Sequence, residues 1–223
     1  MISHKHRCVF IHIPKTAGTS IEKKLGHFTK LERAVQDHTY LMDIEPLTLA
    51  DLFSIAASGR MKYVLKEARN RLLGKSHRIS REQFDSYYKF TIVRNSWSRV
   101  FSWYQNVMRD HLHQEENNVS PGVSFEYFVK NHLDGYLIQS QLVWLKDNKG
   151  NLPLDFIGRF ENLRQDFDHV CEVLKLDDAE LPKLVTGSHS GASYVDEYSD
   201  ETRKIVADHF AEEIDYFKFE FGQ

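Results

Sequence analysis

The stretch CVFIHIPKTAGTSIEKKL, residues 8–25, has the pattern of a strand, a glycine-containing loop and a helix. Its first six residues, Cys8–Ile13, are mostly β-branched, aromatic or otherwise apolar, as in a strand covered on both faces. Pro14 ends this strand, and the small residues at 18–20 can open a helix that continues through Leu25. The pattern predicts a buried strand that leads through a tight loop into a helix.

Two later segments have the same strand character. Residues 90–93, FTIV, precede a helix over 100–108, and residues 155–158, DFIG, precede an amphipathic helix over 161–176. Strands separated by helices indicate a parallel α/β sheet. No linker divides the chain, so we predict one domain over residues 1–223.

The first two strands are separated by a long segment. Apolar residues recur at helical spacing from Leu47 to Leu73, and Gly59 divides them into two helices, so we predict a helical insertion at about 45–80. The part from Arg60 to Arg81 has eight basic residues against the single acid Glu67. It suggests a surface for an acidic acceptor such as an anionic glycan, and a solvated helix face would have the same composition.

Serines indicate where two later helices begin. The polar residues 108–123 predict a loop, after which Ser124 can cap a helix over 125–132. Ser199 can cap a final helix that has acidic residues in its first turn.

The composition is ordinary for a globular protein, with 41 % hydrophobic and 27 % charged residues. The net charge of −3 predicts no whole-protein attraction to nucleic acid or membrane. No apolar run approaches the roughly 20 residues that cross a bilayer, and no signal peptide is evident. We expect a cytoplasmic protein, although a soluble piece of a membrane-anchored parent would have the same features. Cys8 and Cys171 lie in apolar patterns and predict buried, reduced thiols.

The loop after the first strand has the parts of an anion site. Helix-start amides attract anions, Gly18 permits close backbone approach, Thr19 and Ser20 add hydroxyl donors, and Lys15 adds a mobile charge. In a Walker loop the lysine directly follows a glycine, and a serine or threonine after it holds magnesium. Here the lysine lies three residues before Gly18, and no hydroxyl residue follows a Gly-Lys pair. We expect a metal-free anion site; the alternative is an ordinary turn with an exposed lysine.

A second polar group follows the strand at 90–93. Arg94 lies at its carboxyl end, where open α/β sheets bind ligands. If a helix begins near Ser96, Arg99 and Ser102 lie in its first two turns. An arginine fork with a hydroxyl suits a second, separate phosphate. The alternative is that the arginines are structural, with Arg99 paired to an acid.

Together the two motifs resemble the sulfotransferase superfamily, in particular its carbohydrate-type branch (family 2), with heparan sulfate 2-O- and chondroitin sulfotransferases and short bacterial relatives. Residues 13–20, IPKTAGTS, look like the family's 5′-phosphosulfate loop, and residues 93–102, VRNSWSRVFS, look like its 3′-phosphate motif. Segments 156–163 and 194–217 also match, so the likeness covers most of the chain. Ser96 stands where the family usually has proline, and serine can cap the helix instead.

The resemblance implies a P-loop-like three-layer fold with a central, mainly parallel sheet flanked by helices. It also implies metal-independent transfer of a sulfuryl group from 3′-phosphoadenosine 5′-phosphosulfate to an acceptor hydroxyl, on a carbohydrate. Lys15 would neutralise charge on the leaving oxygen. The residues that would hold the donor are Lys15, Thr16, Gly18, Thr19 and Ser20 at the 5′-phosphosulfate, and Arg94 and Ser102 at the 3′-phosphate.

A base that takes the acceptor's proton is expected to be a histidine. His38 and His77 are the candidates, and we favour His38, with Asp37 or Asp43 to orient it. His12, within the first strand, is expected to be structural. The alternative functions are a small-molecule kinase with a variant phosphate loop, and a nucleotide-binding module that has lost its base.

Overall fold

The computed structural model describes residues 1–30, 36–74, 76, 78–177, 180–182 and 193–223, and the backbone but not the side chain of Arg71. One of the two histidines predicted as the base, His77, lies outside the described residues. The other, His38, lies within them.

A four-stranded sheet forms the centre of the fold, in the order β1-β2-β3-β4. Strands β2, β3 and β4 are parallel to one another, and β1 is an antiparallel edge strand beside β2. This confirms the predicted α/β class with a mainly parallel sheet; the two-residue β1 was not predicted. The strands are β1 (Ile2–Ser3), β2 (Cys8–Ile11), β3 (Tyr88–Val93) and β4 (Phe156–Arg159).

Helices fill the connections between the strands and the rest of the described chain. The α-helices are α1 (Gly18–Lys24), α2 (Leu41–Ile44), α3 (Leu49–Ala57), α4 (Met61–Leu72), α5 (Arg81–Ser86), α6 (Ser96–Arg109), α7 (His111–Glu116), α8 (Phe125–Asn131), α9 (Gln141–Leu145), α10 (Leu163–Leu174), α11 (Asp200–His209) and α12 (Ala211–Phe217). Short 3₁₀ turns at Phe160–Asn162 and Tyr194–Glu197 precede α10 and α11.

Alternate residues of β2 face two separate apolar clusters. Val9 and Ile11 belong to a large cluster that includes residues of α6, α8, α9, α11 and α12. Cys8 and Phe10 belong to a smaller cluster with residues of α1 and α10. Because successive strand residues point to opposite faces, helices cover both sides of the sheet and the fold has three layers.

Most predicted helices are present, with differences in the loops. Helices α3 and α4 are separated at Gly59, as predicted, and Ser124 accepts a hydrogen bond from the Tyr127 amide at the start of α8. The prediction of a loop over 108–123 was wrong, because it contains α7. The Asp110 carboxylate accepts a hydrogen bond from the Leu112 amide 2.9 Å away, and this cap stabilises a helix in a polar segment.

Both cysteine side chains are buried, as predicted, and Cys8 and Cys171 are not joined in a disulfide. Among the described helices, none is long and apolar enough to cross a membrane.

Candidate functional site

A cavity of about 1070 Å³ lies where the chain leaves β2 and β3. It is the place where most of the predicted site residues meet. Those that line it are Lys15, Gly18, Thr19, Ser20, His38, Arg94 and Ser102. The two motifs, whose residues Lys15 and Arg94 are 79 positions apart in sequence, therefore face one space because both follow parallel strands that are neighbours in the sheet.

Lys15 lies in a tight loop whose backbone is in the left-handed region, with φ of 73° at Lys15 and 67° at Ala17. Such angles are uncommon for residues other than glycine and are often found at functional sites. The Lys15 ammonium donates a hydrogen bond to Asn106 Oδ1 3.1 Å away, and it forms no salt bridge with a described residue. Burial, and then the nearby Arg109 and Arg94, lower the pKa of Lys15 to about 8.

Gly18 has a packing role that the sequence did not reveal. A Cβ added at Gly18 would lie 1.9 Å from Cδ2 of His12, so no larger residue fits without moving that ring. His12 is itself held by Glu22, whose Oε1 lies 3.0 Å from His12 Nδ1, and both side chains are buried. The predicted structural role of His12 agrees with these contacts, although His12 also lines the cavity.

Thr16 differs from the other loop residues. Its side chain is fully buried, and its hydroxyl donates a hydrogen bond to the Ile13 carbonyl 2.8 Å away. The hydroxyl is therefore used inside the loop, and only the backbone of Thr16 remains for a ligand.

Arg94 connects the second motif to the first. Its Nη1 donates to the Lys15 carbonyl at 3.1 Å, and its Nε donates to Ser98 Oγ at 2.9 Å. The guanidinium carbon lies 4.0 Å from the centre of the Phe160 ring. Burial lowers the pKa of Arg94 to about 10, so the group is charged at neutral pH.

Arg99 takes a structural role, and its partners are carbonyls rather than an acid. Its fully buried guanidinium donates to the carbonyl oxygens of Pro14, Leu137 and Gln139 at 3.1, 3.1 and 3.0 Å. These bonds fix the Lys15 loop to the segment that precedes α9.

The start of α6 corrects the expectation that Ser96 caps the helix. The cap is Asn95, whose side-chain oxygen accepts from the amides of Trp97 and Ser98. Ser96 is the first helical residue, and its hydroxyl donates to the buried Glu213 carboxylate 2.6 Å away. Serine at the position of the family's proline therefore provides a contact to α12 that proline could not make.

His38 lies against the strand end and is not oriented by an aspartate. Its Nδ1 lies 3.1 Å from the His12 carbonyl oxygen, and its Nε2 lies 3.2 Å from the side-chain oxygen Oε1 of Gln36. The His12 carbonyl can only accept a hydrogen bond, whereas the Gln36 side chain can present either its oxygen or its NH₂ group, so Nδ1 carries the proton and Nε2 the lone pair when the NH₂ group faces the ring. Burial and the neighbouring His12 lower the pKa of His38 to about 4.

The two aspartates predicted to orient His38 have other partners. The Asp37 carboxylate accepts a hydrogen bond from the Thr39 hydroxyl. The Asp43 carboxylate accepts one from the Tyr63 hydroxyl 3.1 Å away. Orientation by Asp37 or Asp43 was therefore wrong, and the His12 carbonyl takes that place.

Further cavity residues were missed by sequence reasoning, but their spacing could have indicated them. Asn106 and Arg109 follow Ser102 by four and seven residues and line the cavity from the same face of α6. The α10 side contributes a second set with helical spacing, namely Phe160, Leu163, Arg164, Phe167 and Asp168. In the described part of the chain, no group of three or more His, Cys, Asp or Glu side chains is placed to hold a metal ion.

Comparison with known proteins gives a family match over nearly the whole chain. A model described as "Sulfotransferase family" matches residues 1–220. An uncharacterized protein of Archaeoglobus fulgidus is 29 % identical over 102 residues, which are 45 % of this chain and 78 % of that protein. No solved structure matches this chain at a significant level.

Proposed function

The chain belongs to the sulfotransferase family, and on that premise we propose that it moves a sulfuryl group from 3′-phosphoadenosine 5′-phosphosulfate to a carbohydrate hydroxyl. The observation that best supports this is the cavity shared by Lys15, Arg94 and Ser102. Lys15 and Arg94 are partly buried cations that form no salt bridge with a described residue, although Glu161 lies near enough to Arg94 to favour its charge. Buried charges need a counter-charge, and a nucleotide with two separate phosphate positions supplies one for each.

The donor is assigned to two neighbouring sets of cavity residues. Lys15 and the loop residues Gly18, Thr19 and Ser20 hold the 5′-phosphosulfate, and Thr16 contributes its backbone alone. Arg94 and Ser102 hold the 3′-phosphate. This division follows the family-2 carbohydrate branch, which this chain resembles in both motifs.

Lys15 stabilises charge at the reacting end. The donor supplies an activated sulfuryl group, and its phosphate becomes more negative as the group departs. A lysine with a pKa of about 8 is mostly charged at neutral pH, and the Lys15 side chain is partly buried. A preorganised charge in such a place stabilises a transition state more than the same charge in solvent. The transfer then needs no metal ion.

His38 is the proposed base. In this assignment the proton is on Nδ1, toward the His12 carbonyl, and Nε2 has the lone pair; the neutral ring is the form that accepts a proton at neutral pH. Rotation of the Gln36 side chain would give the acceptor hydroxyl access to Nε2. The neutral ring is also oriented by a main-chain carbonyl, which cannot itself take the proton.

The acceptor is proposed to contact the cavity's own cations rather than the basic segment at 60–81. None of that segment's described basic side chains lines the cavity. Arg78 is buried, and its Nε lies 2.9 Å from the Glu67 carboxylate. Arg109 lies near enough to Lys15 to lower its pKa, so it is the cation suited to an anionic glycan.

Thermal unfolding with different ligands tests this function. We expect 3′-phosphoadenosine 5′-phosphate, at about 100 times its Kd, to raise Tm by about 5–10 °C, whereas ATP with Mg²⁺ should not. The Arg94→Gln variant should lose this shift, and the exposed control Lys204→Gln should keep it. If ATP with Mg²⁺ raised Tm and 3′-phosphoadenosine 5′-phosphate did not, the proposal would be refuted. Transfer of labelled sulfate to a panel of glycans then identifies the acceptor.

A further inference from the structure

Helix α4 turns apolar residues to solvent and a charged residue to the protein. Leu65 and Leu72 are 62 % and 89 % exposed, whereas Glu67 is buried and pairs with Arg78 at 2.9 Å. A helix at a protein surface ordinarily has the opposite orientation. The exposed apolar residues of α4 recur at intervals of four, three and four and so form one stripe, made of Met61, Leu65, Ala68 and Leu72.

Helix α3 adds to this surface. Leu49 and Phe53 lie one turn apart and are 86 % and 78 % exposed. Helices α3 and α4 pack against each other, so these side chains belong to the same helical hairpin. Exposed apolar groups this numerous are unusual on a monomer and indicate an interaction surface.

Basic residues accompany the stripe. Lys62, Lys66 and Arg69 each follow a stripe residue by one position, and all three are exposed on the same flank of α4. Residues 60–74 contain five basic residues against one acid, although the whole chain has a net charge of −3. That acid, Glu67, faces the protein, so the outer face of α4 is positive as well as apolar.

We propose that the α3–α4 hairpin docks this protein onto the surface of an anionic lipid membrane. Apolar side chains beside a row of Lys and Arg fit the boundary between acyl chains and acidic headgroups. A polyanionic glycan would satisfy the cations but leave the leucines and Phe53 in water. A second copy docked through the same face would bring Lys62, Lys66 and Arg69 of both copies together, and like charges oppose such pairing.

Vesicle flotation with the full chain tests the proposal. The protein should bind vesicles of phosphatidylcholine that contain one third phosphatidylserine, and it should not bind vesicles of phosphatidylcholine alone. It should dissociate from the anionic vesicles as the salt concentration is raised. Leu65→Ser with Leu72→Ser should lower the partition coefficient about tenfold or more, and Lys66→Gln with Arg69→Gln about thirtyfold. The controls Val173→Ser and Lys204→Gln change exposed residues outside the hairpin and should bind normally.

A labelled variant gives a direct signal of insertion. Both native cysteines are buried, so a dye that is sensitive to polarity can be placed selectively on Leu65→Cys. Its emission should shift to the blue on the anionic vesicles, whereas the same dye on Lys204→Cys should not respond.

Three results would overturn the proposal. The first is no binding to anionic vesicles. The second is concentration-dependent dimerisation that the leucine variants abolish, which would make the hairpin an interface between copies. The third is binding to heparin but not to vesicles, lost in the Lys66/Arg69 variant and kept in the leucine variant, which would assign the surface to a glycan.

Discussion

Lys15 and His38 approach the same cavity with opposite electrostatic requirements. Lys15 is a partly buried cation, and its neighbours Arg109 and Arg94 further disfavour its charge. His38 is kept neutral by burial and by His12. A bound anion would favour the charged lysine and leave a neutral histidine able to accept a proton. The lowered pKa values of Lys15 and His38 therefore suit a site in which the bound substrate supplies the negative charge.

Anion binding should weaken as pH rises through the pKa of Lys15. The pKa in the free protein is about 8, so Lys15 is charged below that pH and neutral above it. The affinity for 3′-phosphoadenosine 5′-phosphate should fall about tenfold between about pH 7 and about pH 9, because the binding-competent fraction falls by that factor. Calorimetric titration of the wild type and Lys15→Arg measures this. An arginine keeps its charge, so an equally steep loss in Lys15→Arg would refute the assignment.

Replacing His38 should affect the chemical step more than binding. His38→Gln removes the lone pair of Nε2, and we expect kcat to fall by about 10²–10⁴-fold. The Kd of 3′-phosphoadenosine 5′-phosphate should change by about twofold or less, since His38 is not assigned to the donor. Initial rates and calorimetry separate the two effects, with His77→Gln as the matched comparison. If His77→Gln carries the loss in kcat, His77 is the base.

At the scale of elements, the junction between β2 and α1 is shaped by a histidine that packs on a glycine. His12 directly follows β2 rather than lying within it as predicted, and Gly18 is the first residue of α1. Because the ring occupies the place of a Cβ at Gly18, the loop between them is held close to the strand end. The same loop is held from the α6 side by the Arg99 and Arg94 guanidinium groups. Two neighbouring strand–helix connections thus support each other.

Gly18→Ala should destabilise this junction through a clash with His12. We expect a loss of about 1–3 kcal/mol in the free energy of unfolding, measured in urea. Gly135→Ala is the control, because its Cβ would lie no closer than 3.4 Å to a neighbouring atom. Combining Gly18→Ala with His12→Ala should cost less than the sum of the two single changes, because the clash is then removed. Additive losses would show that the ring is not the obstacle.

At the scale of the whole molecule, helix α12 is connected to the backbone of the cavity residue Arg94 through the buried carboxylate of Glu213 and the side chain of Gln141. Glu213 accepts hydrogen bonds from the Ser96 hydroxyl at 2.6 Å and from the Gln141 side chain at 3.0 Å. Gln141 in turn pairs with the backbone amide and carbonyl of Arg94 at 2.9 and 2.8 Å. Helices α6, α9 and α12 are therefore joined directly behind the residue assigned to the 3′-phosphate.

Glu213→Ala should weaken both stability and nucleotide binding. It would leave buried donors of Ser96 and Gln141 without their acceptor, so we expect a loss of about 3 kcal/mol in the free energy of unfolding. The neighbouring Glu212→Ala is the control, because Glu212 is exposed and its pair with Lys146 should contribute less than about 1 kcal/mol. Urea unfolding and titration with 3′-phosphoadenosine 5′-phosphate measure the two effects. Equal losses of stability and of nucleotide affinity in the two variants would contradict the role assigned to Glu213.

The local sequence was sufficient to predict the parallel strands of the sheet, the loop around Lys15 and the position of Arg94 after β3. These features depend on residues that are neighbours in the chain: apolar runs, Pro14, the small residues at 18–20 and the order of strand and helix. Since parallel strands bring their carboxyl ends to one edge, the meeting of Lys15, Arg94 and Ser102 could be predicted without coordinates.

Contacts between residues that are distant in sequence could not be predicted and were given only by the tertiary structure. Arg94 and Arg99 are both arginines of the segment 93–102, and the sequence does not distinguish their roles. In the structure Arg94 faces the cavity, whereas Arg99 binds the carbonyl oxygens of residues 137 and 139. Ser96 does not cap α6, because a partner 117 residues away takes its hydroxyl. The outward stripe of α4 is a third case, since periodicity gives the apolar side of a helix but not the direction in which packing turns it.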